Sequence, residues 1–244
     1  MPREGRSIVP RYNRGVSEHG VIAYRGKRNI YVNITNRCTC ACTFCLREFT
    51  DEVYGYPLVL DHEPSMEEIT QALELEFLEG PADEVVFCGL GEPTLRLAEV
   101  LAVTEWLRLR RVPVRLDTNG LGQLANPGLE VVPALVAVGL DGVSVSLNAA
   151  DPETYDRLCR PIYSKAFRAV IAFATECIRA GLPTTLTVVD HPEVDAAACA
   201  ALAERLGAGF RVRARALRRG TPAAPRLAAD TTAAACGGED GWGP

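Results

Sequence analysis

The sequence predicts an α/β fold in which six strand–helix units form a partial (β/α)6 barrel. Six short runs rich in Val, Ile, Leu or Thr are bounded by Gly, Pro, Asp or Asn, as strands are. Helical patterns lie between them, which favours parallel strands joined by helical crossovers. Six units are too few for a complete eight-stranded barrel, and a partial barrel fits the 244 residues. The predicted strands are Ile30–Ile34, Glu84–Cys88, Val112–Leu116, Gly142–Leu147, Thr184–Val189 and Gly209–Arg213.

The first helix has the clearest start signal. Ser65 and Glu68 form a capping-box pattern, and Ile69, Leu73 and Phe77 then repeat every four residues along one helical face. Four further helix signals lie between or after the later strands. They are the apolar positions Leu97, Leu101 and Leu107, the cap-like pair Asp151-Pro152, a segment from about Lys165 to Ala180 that stops at Gly181, and a segment from Pro192 to near Gly207.

Composition divides the chain into three parts. Residues 1–28 are basic and contain glycine, with little apolar periodicity, which predicts a loose N-terminal lead-in. Residues 29–219 carry the strand–helix units and form the predicted core domain. Ala, Gly, Pro and Thr dominate residues 220–244, which predicts a disordered tail.

Charge and hydropathy argue against several classes of partner. The formal net charge is -5 and the basic residues form no long run, so duplex DNA and anionic membranes are not expected partners. No apolar stretch is long enough to span a bilayer, and residues 1–6 lack the apolar core of a secretory signal. We therefore expect a cytoplasmic protein, in which clustered cysteines bind metal more often than they form disulfides.

Four of the nine cysteines lie within residues 38–45, soon after the first strand. Cys38, Cys42 and Cys45 have the spacing C-x3-C-x2-C, and three thiolates this close can hold three corners of a four-iron cluster. Because a cluster held fully by protein takes four cysteines, this set predicts an open iron that can meet a substrate. The alternative is a structural zinc site with Cys40 as the fourth ligand, although no second cysteine or histidine pair accompanies it.

Glycine-rich or polar segments follow the later strands, where full barrels of this kind place their chemistry. The second strand runs into Gly89-Leu90-Gly91-Glu92-Pro93, whose glycines admit a ligand close to the backbone and whose carboxylate can accept from an ammonium group. The alternative is a plain Gly-Pro turn. Asn119 follows the third strand in an Asn-Gly turn pattern. Ser146 and Asn148 share a face after the fourth strand, where they could bond ribose hydroxyls or cap the next turn.

Later charged residues are weaker candidates. Arg160 could hold a carboxylate or lie at the surface. Asp190 could line a cavity or cap the helix after Pro192. Arg211 and Arg213 alternate on the sixth strand, and they could point inward toward an anionic substrate or outward as edge-strand charge.

Together these residues resemble the radical S-adenosylmethionine superfamily. The resemblance rests on Cys38, Cys42 and Cys45, on Gly91-Glu92-Pro93 and on the polar residues after the fourth strand, and it covers roughly residues 29–215. It implies a [4Fe-4S] cluster whose open iron chelates the amino and carboxylate groups of S-adenosylmethionine. One electron passed to the sulfonium would release methionine and a 5′-deoxyadenosyl radical, which would take a hydrogen atom from a substrate that the sequence does not identify.

The resemblance also implies a set of site residues. Cys38, Cys42 and Cys45 would bind the cluster. Glu92 and the glycine backbone would hold the methionine ammonium of the cofactor. Ser146 and Asn148 would hold its ribose, and Phe44 would approach its adenine. The members of the cofactor-binding set are Phe44, Gly89, Gly91, Glu92, Pro93, Asn119, Ser146 and Asn148.

Several phrases are similar to the radical proteins associated with TatD nucleases. They are Tyr31–Cys38, Ser146–Ala149, Arg160-Pro161, Thr187–Asp190 and Arg211–Arg213. Cys40 departs from that pattern, in which a non-thiol polar residue is expected. The implied partners are a one-electron reductant such as flavodoxin or ferredoxin and, functionally, a TatD-type nuclease. Two other functions stay open, namely a subunit that makes a glycyl radical on a partner protein and a metal-binding module without turnover.

Overall fold

The structure is a computed structural model that describes residues 20–215. The predicted tail, residues 220–244, and residues 1–19 of the predicted lead-in lie outside the described residues. The strands of the described part are β1 Ala23–Gly26, β2 Asn29–Val32, β3 Glu52–Val53, β4 Tyr56–Pro57, β5 Val85–Phe87, β6 Val114–Thr118, β7 Gly142–Ser146, β8 Thr184–Val189 and β9 Gly209–Arg213. Its α-helices are α1 Met66–Leu78, α2 Leu97–Leu109, α3 Gly122–Ala125, α4 Val131–Ala137, α5 Pro152–Cys159, α6 Ala166–Arg179 and α7 Ala196–Leu206.

Seven strands form one sheet in the order β1-β2-β5-β6-β7-β8-β9. β1 pairs antiparallel with β2, and every other neighbouring pair is parallel. The six parallel strands follow one another in chain order with helical crossovers between them, as in a (β/α) barrel. Because β1 and β9 stand at opposite ends of the order, the barrel is not closed, and the predicted partial barrel is confirmed.

All six predicted strands are present, and so are the predicted helices. The first helix begins where the capping box placed it: Ser65 Oγ accepts from the Glu68 amide at 3.3 Å, and Glu68 Oε2 accepts from the Ser65 amide at 2.8 Å. Asp151 Oδ1 caps α5 by accepting from the Thr154 amide at 2.9 Å. The local signals therefore identified these helix starts correctly.

The last helix begins later than predicted. Residues 191–194 form a turn, in which the Val194 amide donates to the His191 carbonyl at 2.9 Å. The N-cap of α7 is Asp195, whose Oδ1 accepts from the Ala198 amide at 2.9 Å. The suggested capping role of Asp190 is therefore wrong, and its side chain is exposed.

Three structural features of the described part were not predicted from the sequence. β1 lies within the segment expected to be a loose lead-in, so the predicted boundary after residue 28 falls inside the β1–β2 hairpin. β3 and β4 form a second hairpin whose turn residues Tyr54 and Gly55 both have positive φ angles. α3 and α4 contain four and seven residues. These segments are too short for a periodic pattern to identify them.

The two faces of the sheet differ in chemistry. On the outer face, alternate strand residues such as Phe87, Leu116 and Val145 are fully buried in the main core beneath the helices. On the inner face near β1 and β2, Tyr24 and Tyr31 stack with ring centroids 5.4 Å apart, and the β3–β4 hairpin covers them. Further along the sheet, the inner face is polar.

Charged side chains occupy this polar part of the inner face. Arg115 on β6 donates to Glu84 at 2.9 Å and to Ser144 on β7 at 2.9 Å, and it also pairs with Asp117. Alternation along the strands therefore sends apolar side chains outward and charged ones into the barrel. No helix within residues 20–215 is long and apolar enough to cross a membrane.

The outer-face core predicts a large difference between two leucine truncations. Leu116 is fully buried on β6, whereas Leu109 at the end of α2 is 77% exposed. We expect Leu116→Ala to lower the free energy of unfolding by about 2–5 kcal/mol, because it removes buried methyl groups and leaves a cavity. Leu109→Ala should change it by less than about 0.5 kcal/mol. Urea titration of both variants measures this difference, and equal midpoints would contradict the assigned packing.

Candidate active site

A cavity of about 220 Å³ lies at the carboxyl ends of the parallel strands. It is lined by the cysteine loop after β2, the glycine-rich segment after β5, and the ends of β6, β7, β8 and β9. The three predicted cluster ligands and seven of the eight predicted cofactor-binding residues line it. They are Cys38, Cys42, Cys45, Phe44, Gly89, Gly91, Glu92, Asn119, Ser146 and Asn148.

Pro93 and Arg160 stand apart from this set, since neither lines the cavity. Pro93 is buried and begins the short 3-10 helix Pro93–Arg96, where its fixed φ angle suits a first helical position. Arg160 is exposed and ends α5 in a left-handed conformation with φ 45°. In the structure, both residues shape the backbone rather than face the cavity.

The cysteine loop, residues 38–45, is held against the C-terminal end of α5. The Ala41 amide donates to the Cys159 carbonyl at 3.1 Å, and the Thr43 amide donates to the Leu158 carbonyl at 2.9 Å. The last carbonyls of a helix have no partner within it. Here the loop supplies the missing donors, so α5 fixes where the thiols of the loop stand.

Six thiols line the cavity, twice the number in the predicted cluster motif. Cys40 belongs to the loop itself, Cys88 follows β5, and Cys159 ends α5 with its thiol 3.7 Å from Asn148 Nδ2. Burial raises the pKa of Cys88 to about 12, so this thiol is neutral at pH 7. Burial also raises the pKa of Cys45.

Glu92 is a buried hub, with only 2% of the residue exposed. Its Oε1 accepts from the Thr94 amide at 3.1 Å, the Thr94 hydroxyl at 2.7 Å and the Thr118 hydroxyl at 2.7 Å. Its Oε2 accepts from the Asn119 amide at 2.7 Å. Burial raises the pKa of Glu92, and these hydrogen bonds oppose the rise by favouring the carboxylate. The carboxylate thus ties the end of β5 to the end of β6.

Asn119 carries this connection on to the cysteine loop. Its Oδ1 accepts from the Leu121 amide at 2.9 Å, which closes the turn around Gly120. Its Nδ2 donates to the Thr39 hydroxyl at 2.9 Å and lies 3.9 Å from the Cys38 sulfur. The Asn-Gly turn predicted from the sequence is present, and its side chain positions the loop between the first two cysteines.

The glycines after β5 are required by the packing of the protein. A Cβ atom on Gly89 would lie 2.2 Å from Asn33 Oδ1, and one on Gly91 would lie 2.2 Å from the Thr35 carbonyl. Gly89 also has φ 134°, a conformation that other residues rarely adopt. The structure therefore gives both glycines a role that the sequence did not indicate, which is to let this segment pass close to the segment after β2.

Aromatic and inner-face residues complete the cavity. Phe44 is 8% exposed, and its ring centroid lies 6.0 Å from that of His191. Asp117 and Tyr155 also line the cavity, and the sequence predicted a role for neither. For Asp117 a signal was present, because Arg115 and Asp117 alternate with apolar residues along β6 and must share the inner face. Tyr155 lies on α5, and nothing in its local sequence indicates that this helix meets the cavity.

Comparison with known proteins identifies the family. The sequence profile of the Radical SAM superfamily matches residues 32–206, which is most of the chain. The chain belongs to the radical SAM superfamily. A GTP 3′,8-cyclase of Corynebacterium glutamicum is 30% identical over 209 residues, which cover 83% of this chain and 49% of that protein. A PqqA peptide cyclase of Ruegeria pomeroyi is 32% identical over 160 residues, covering 65% and 38%.

Solved structures agree on the fold of this radical SAM chain. SuiB of Streptococcus suis bound to S-adenosylmethionine matches with a TM-score of 0.61 at 14% identity, over 79% of this chain and 42% of that one. The chain spans about half the length of the curated relatives it matches. Radical SAM proteins use a [4Fe-4S] cluster and S-adenosylmethionine, and SuiB has been crystallised with this cofactor.

The residues present fit these two groups. No group of three or more His, Cys, Asp or Glu side chains within residues 20–215 could hold a metal ion by itself. Each thiolate of a cluster binds a different iron, so the sulfurs must face one cavity rather than converge on one point. Cys38, Cys42 and Cys45 do so. Asn148 Oδ1 is buried without a hydrogen-bond partner in the described part, which suits a hydroxyl donor of the nucleoside.

Because Glu92 accepts four hydrogen bonds, we expect its neutral isostere glutamine to destabilise the folded protein. In Glu92→Gln, one carboxylate oxygen becomes an NH2 group, which cannot accept a hydrogen bond. The backbone amide of either Thr94 or Asn119 therefore loses its acceptor. We expect the free energy of unfolding to fall by about 1–3 kcal/mol. Glu105→Gln on the exposed side of α2 is the matched control and should change it by less than about 0.5 kcal/mol. Denaturant titration decides, and equal stability of the two variants would show that Glu92 is not a hub.

Proposed function

We propose that this chain is a radical SAM enzyme that reductively cleaves S-adenosylmethionine and removes a hydrogen atom from a substrate. The observation that carries the proposal is the placement of Cys38, Cys42 and Cys45 on one anchored loop that faces a cavity at the carboxyl ends of the strands. When bound, the cluster and S-adenosylmethionine supply a one-electron cleavage that yields methionine and a 5′-deoxyadenosyl radical. The protein binds, orients and shields these groups.

The chain's own residues divide the binding between two sides of the cavity. The three cysteines bind three irons. On the β5 side, the Gly89–Gly91 backbone and Glu92 hold the methionine ammonium, since Oε2 accepts only one donor from the described residues and can take another. On the β7 side, Ser146 and Asn148 hold the ribose.

The remaining contacts exclude water from the site. Phe44 lies in the loop between two of the cysteines, where its ring shields the cluster and approaches the adenine. A radical that abstracts hydrogen needs a site that side reactions with solvent cannot reach. The buried ring, together with Val189 and Leu90 on the cavity wall, supplies apolar surface for this purpose.

The proposal extends to partners and location. A one-electron reductant such as flavodoxin or ferredoxin delivers the electron in the cytoplasm, and the seven-stranded sheet from β1 to β9 with its helices forms the catalytic domain. The narrower kinship with the radical proteins associated with TatD nucleases is supported by Thr187–Asp190 and Arg211–Arg213. Association with a TatD-type nuclease from the same organism is tested by pull-down with the purified nuclease, and no retention above an unrelated bait would argue against it.

Anaerobic reconstitution tests the cofactor assignment. We expect about four irons and four sulfides per chain, and 5′-deoxyadenosine after chemical reduction in the presence of S-adenosylmethionine. Cys45→Ser should lose both the cluster and the product, because it removes the ligand of one iron. Cys40→Ser changes a neighbouring thiol of the same loop and should retain both.

Two outcomes would contradict this assignment. Stable zinc binding without cleavage of S-adenosylmethionine would support a metal-binding module without turnover. Loss of the cluster in Cys40→Ser with retention in Cys45→Ser would show that the ligand set is different. Iron and sulfide analysis, together with the EPR signal of the reduced cluster, distinguishes these outcomes.

A further inference from the structure

Arg213 carries a polar group that the proposed function does not use. It is the last residue of β9, and it lines the same cavity as the glycine-rich segment after β5. Its Nη2 donates to Ser146 Oγ at 3.2 Å. Its Nε is buried and has no hydrogen-bond partner within residues 20–215.

Two carboxylates on the inner face are already engaged by another arginine. Asp117 pairs with Arg115, and Glu84 makes a 2.9 Å ion pair with the same guanidinium. Asp117 still attracts Arg213 through space, but no ion pair within 4.0 Å joins the two among the described residues. Arg213 therefore brings a positive charge into the cavity that the inner-face carboxylates do not neutralise by direct contact.

A buried arginine donor without a partner destabilises the folded protein unless an anion binds to it. A guanidinium stays charged at any pH that the protein tolerates, and it presents its donors in a planar fork. Burying donors without partners has a free-energy cost that a bound oxyanion removes. Oxyanions such as carboxylate and phosphate match the fork with two parallel hydrogen bonds.

We propose that Arg213, whose guanidinium is oriented by its hydrogen bond to Ser146, binds an oxyanion of the substrate at the β7–β9 side of the cavity. This inference rests on the proposed function, since it assumes that the cavity is the reaction site. S-Adenosylmethionine also has a carboxylate, but its methionine part is assigned to Glu92 and the Gly89–Gly91 backbone, so a change at Arg213 should affect the binding of a free anion more than the binding of the cofactor. The substrate is therefore a carboxylate- or phosphate-bearing molecule whose anionic end is fixed while another part meets the radical.

Anion titration of the full chain tests this subsite without depending on turnover. The probes are inorganic phosphate and acetate, added at constant ionic strength while binding is followed by calorimetry. We expect saturable binding of at least one probe to the wild-type protein, and the relative affinities of the two probes indicate whether a phosphate or a carboxylate fits better. Arg213→Gln should weaken that binding about tenfold or more, because it removes the charged fork.

Two variants keep the test specific. Arg213→Lys retains the charge but not the planar fork, so it should bind the probe with intermediate affinity and should fold even where the glutamine variant does not. Arg28→Gln removes an exposed guanidinium whose side chain is 82% accessible at the opposite end of the barrel, and it should bind the probe like the wild type.

Three results would overturn the inference. Wild-type affinity in both Arg213 variants would show that the probe binds elsewhere. Weakened binding of S-adenosylmethionine with unchanged phosphate and acetate binding would assign Arg213 to the cofactor carboxylate. Loss of iron in Arg213→Gln but not in Arg213→Lys, again with unchanged anion binding, would make it a counter-charge for the thiolates. If no cluster forms in the wild type, the proposed function fails, whereas the anion titration still reports on the subsite.

Discussion

The active site depends on one buried carboxylate that connects separate strand ends. Glu92 accepts hydrogen bonds from Thr94, Thr118 and Asn119, and Asn119 in turn donates to Thr39 in the cysteine loop. A carboxylate this deeply buried is tolerated only when donors surround it, so the segments that supply those donors are held in one arrangement. The segment after β5, the end of β6 and the loop after β2 are therefore positioned together. This network therefore positions the cysteine loop relative to the other segments that line the cavity.

A second constraint is that one face of the sheet is apolar and the other is polar. The outer face packs apolar side chains such as Leu116 and Val145 against the helices and supplies the stabilising burial. The inner face can then carry polar and charged groups that would destabilise an ordinary core. Arg115 forms ion pairs with Glu84 and Asp117, which balances its charge inside the barrel. This arrangement explains how a small α/β domain can hold buried charges around a cavity and remain folded.

The cysteine loop illustrates how a helix end can position a candidate metal-binding segment. Loop amides meet the last carbonyls of α5, so hydrogen bonds that each segment lacks by itself are completed between them. The same helix end places Cys159 beside Asn148. The cysteine loop and Asn148, which lie far apart in the sequence, are thereby coupled through one helix terminus. Such coupling favours a rigid site, which the proposed radical reaction requires.

The sequence by itself determined the elements whose signals are local. Strand runs such as Thr184–Val189, the capping box of Ser65 and Glu68, and the spacing of Cys38, Cys42 and Cys45 each lie within a few residues, and from them the partial barrel and the family followed. Only the tertiary structure decided how these parts are used. The donors around Glu92, the anchoring of the loop on α5, the inward direction of Arg213 and the β3–β4 hairpin all depend on contacts between distant segments. Local sequence patterns reflect the conformational preferences of a few neighbouring residues. The partner of a buried polar group depends instead on how distant segments pack across the whole sheet.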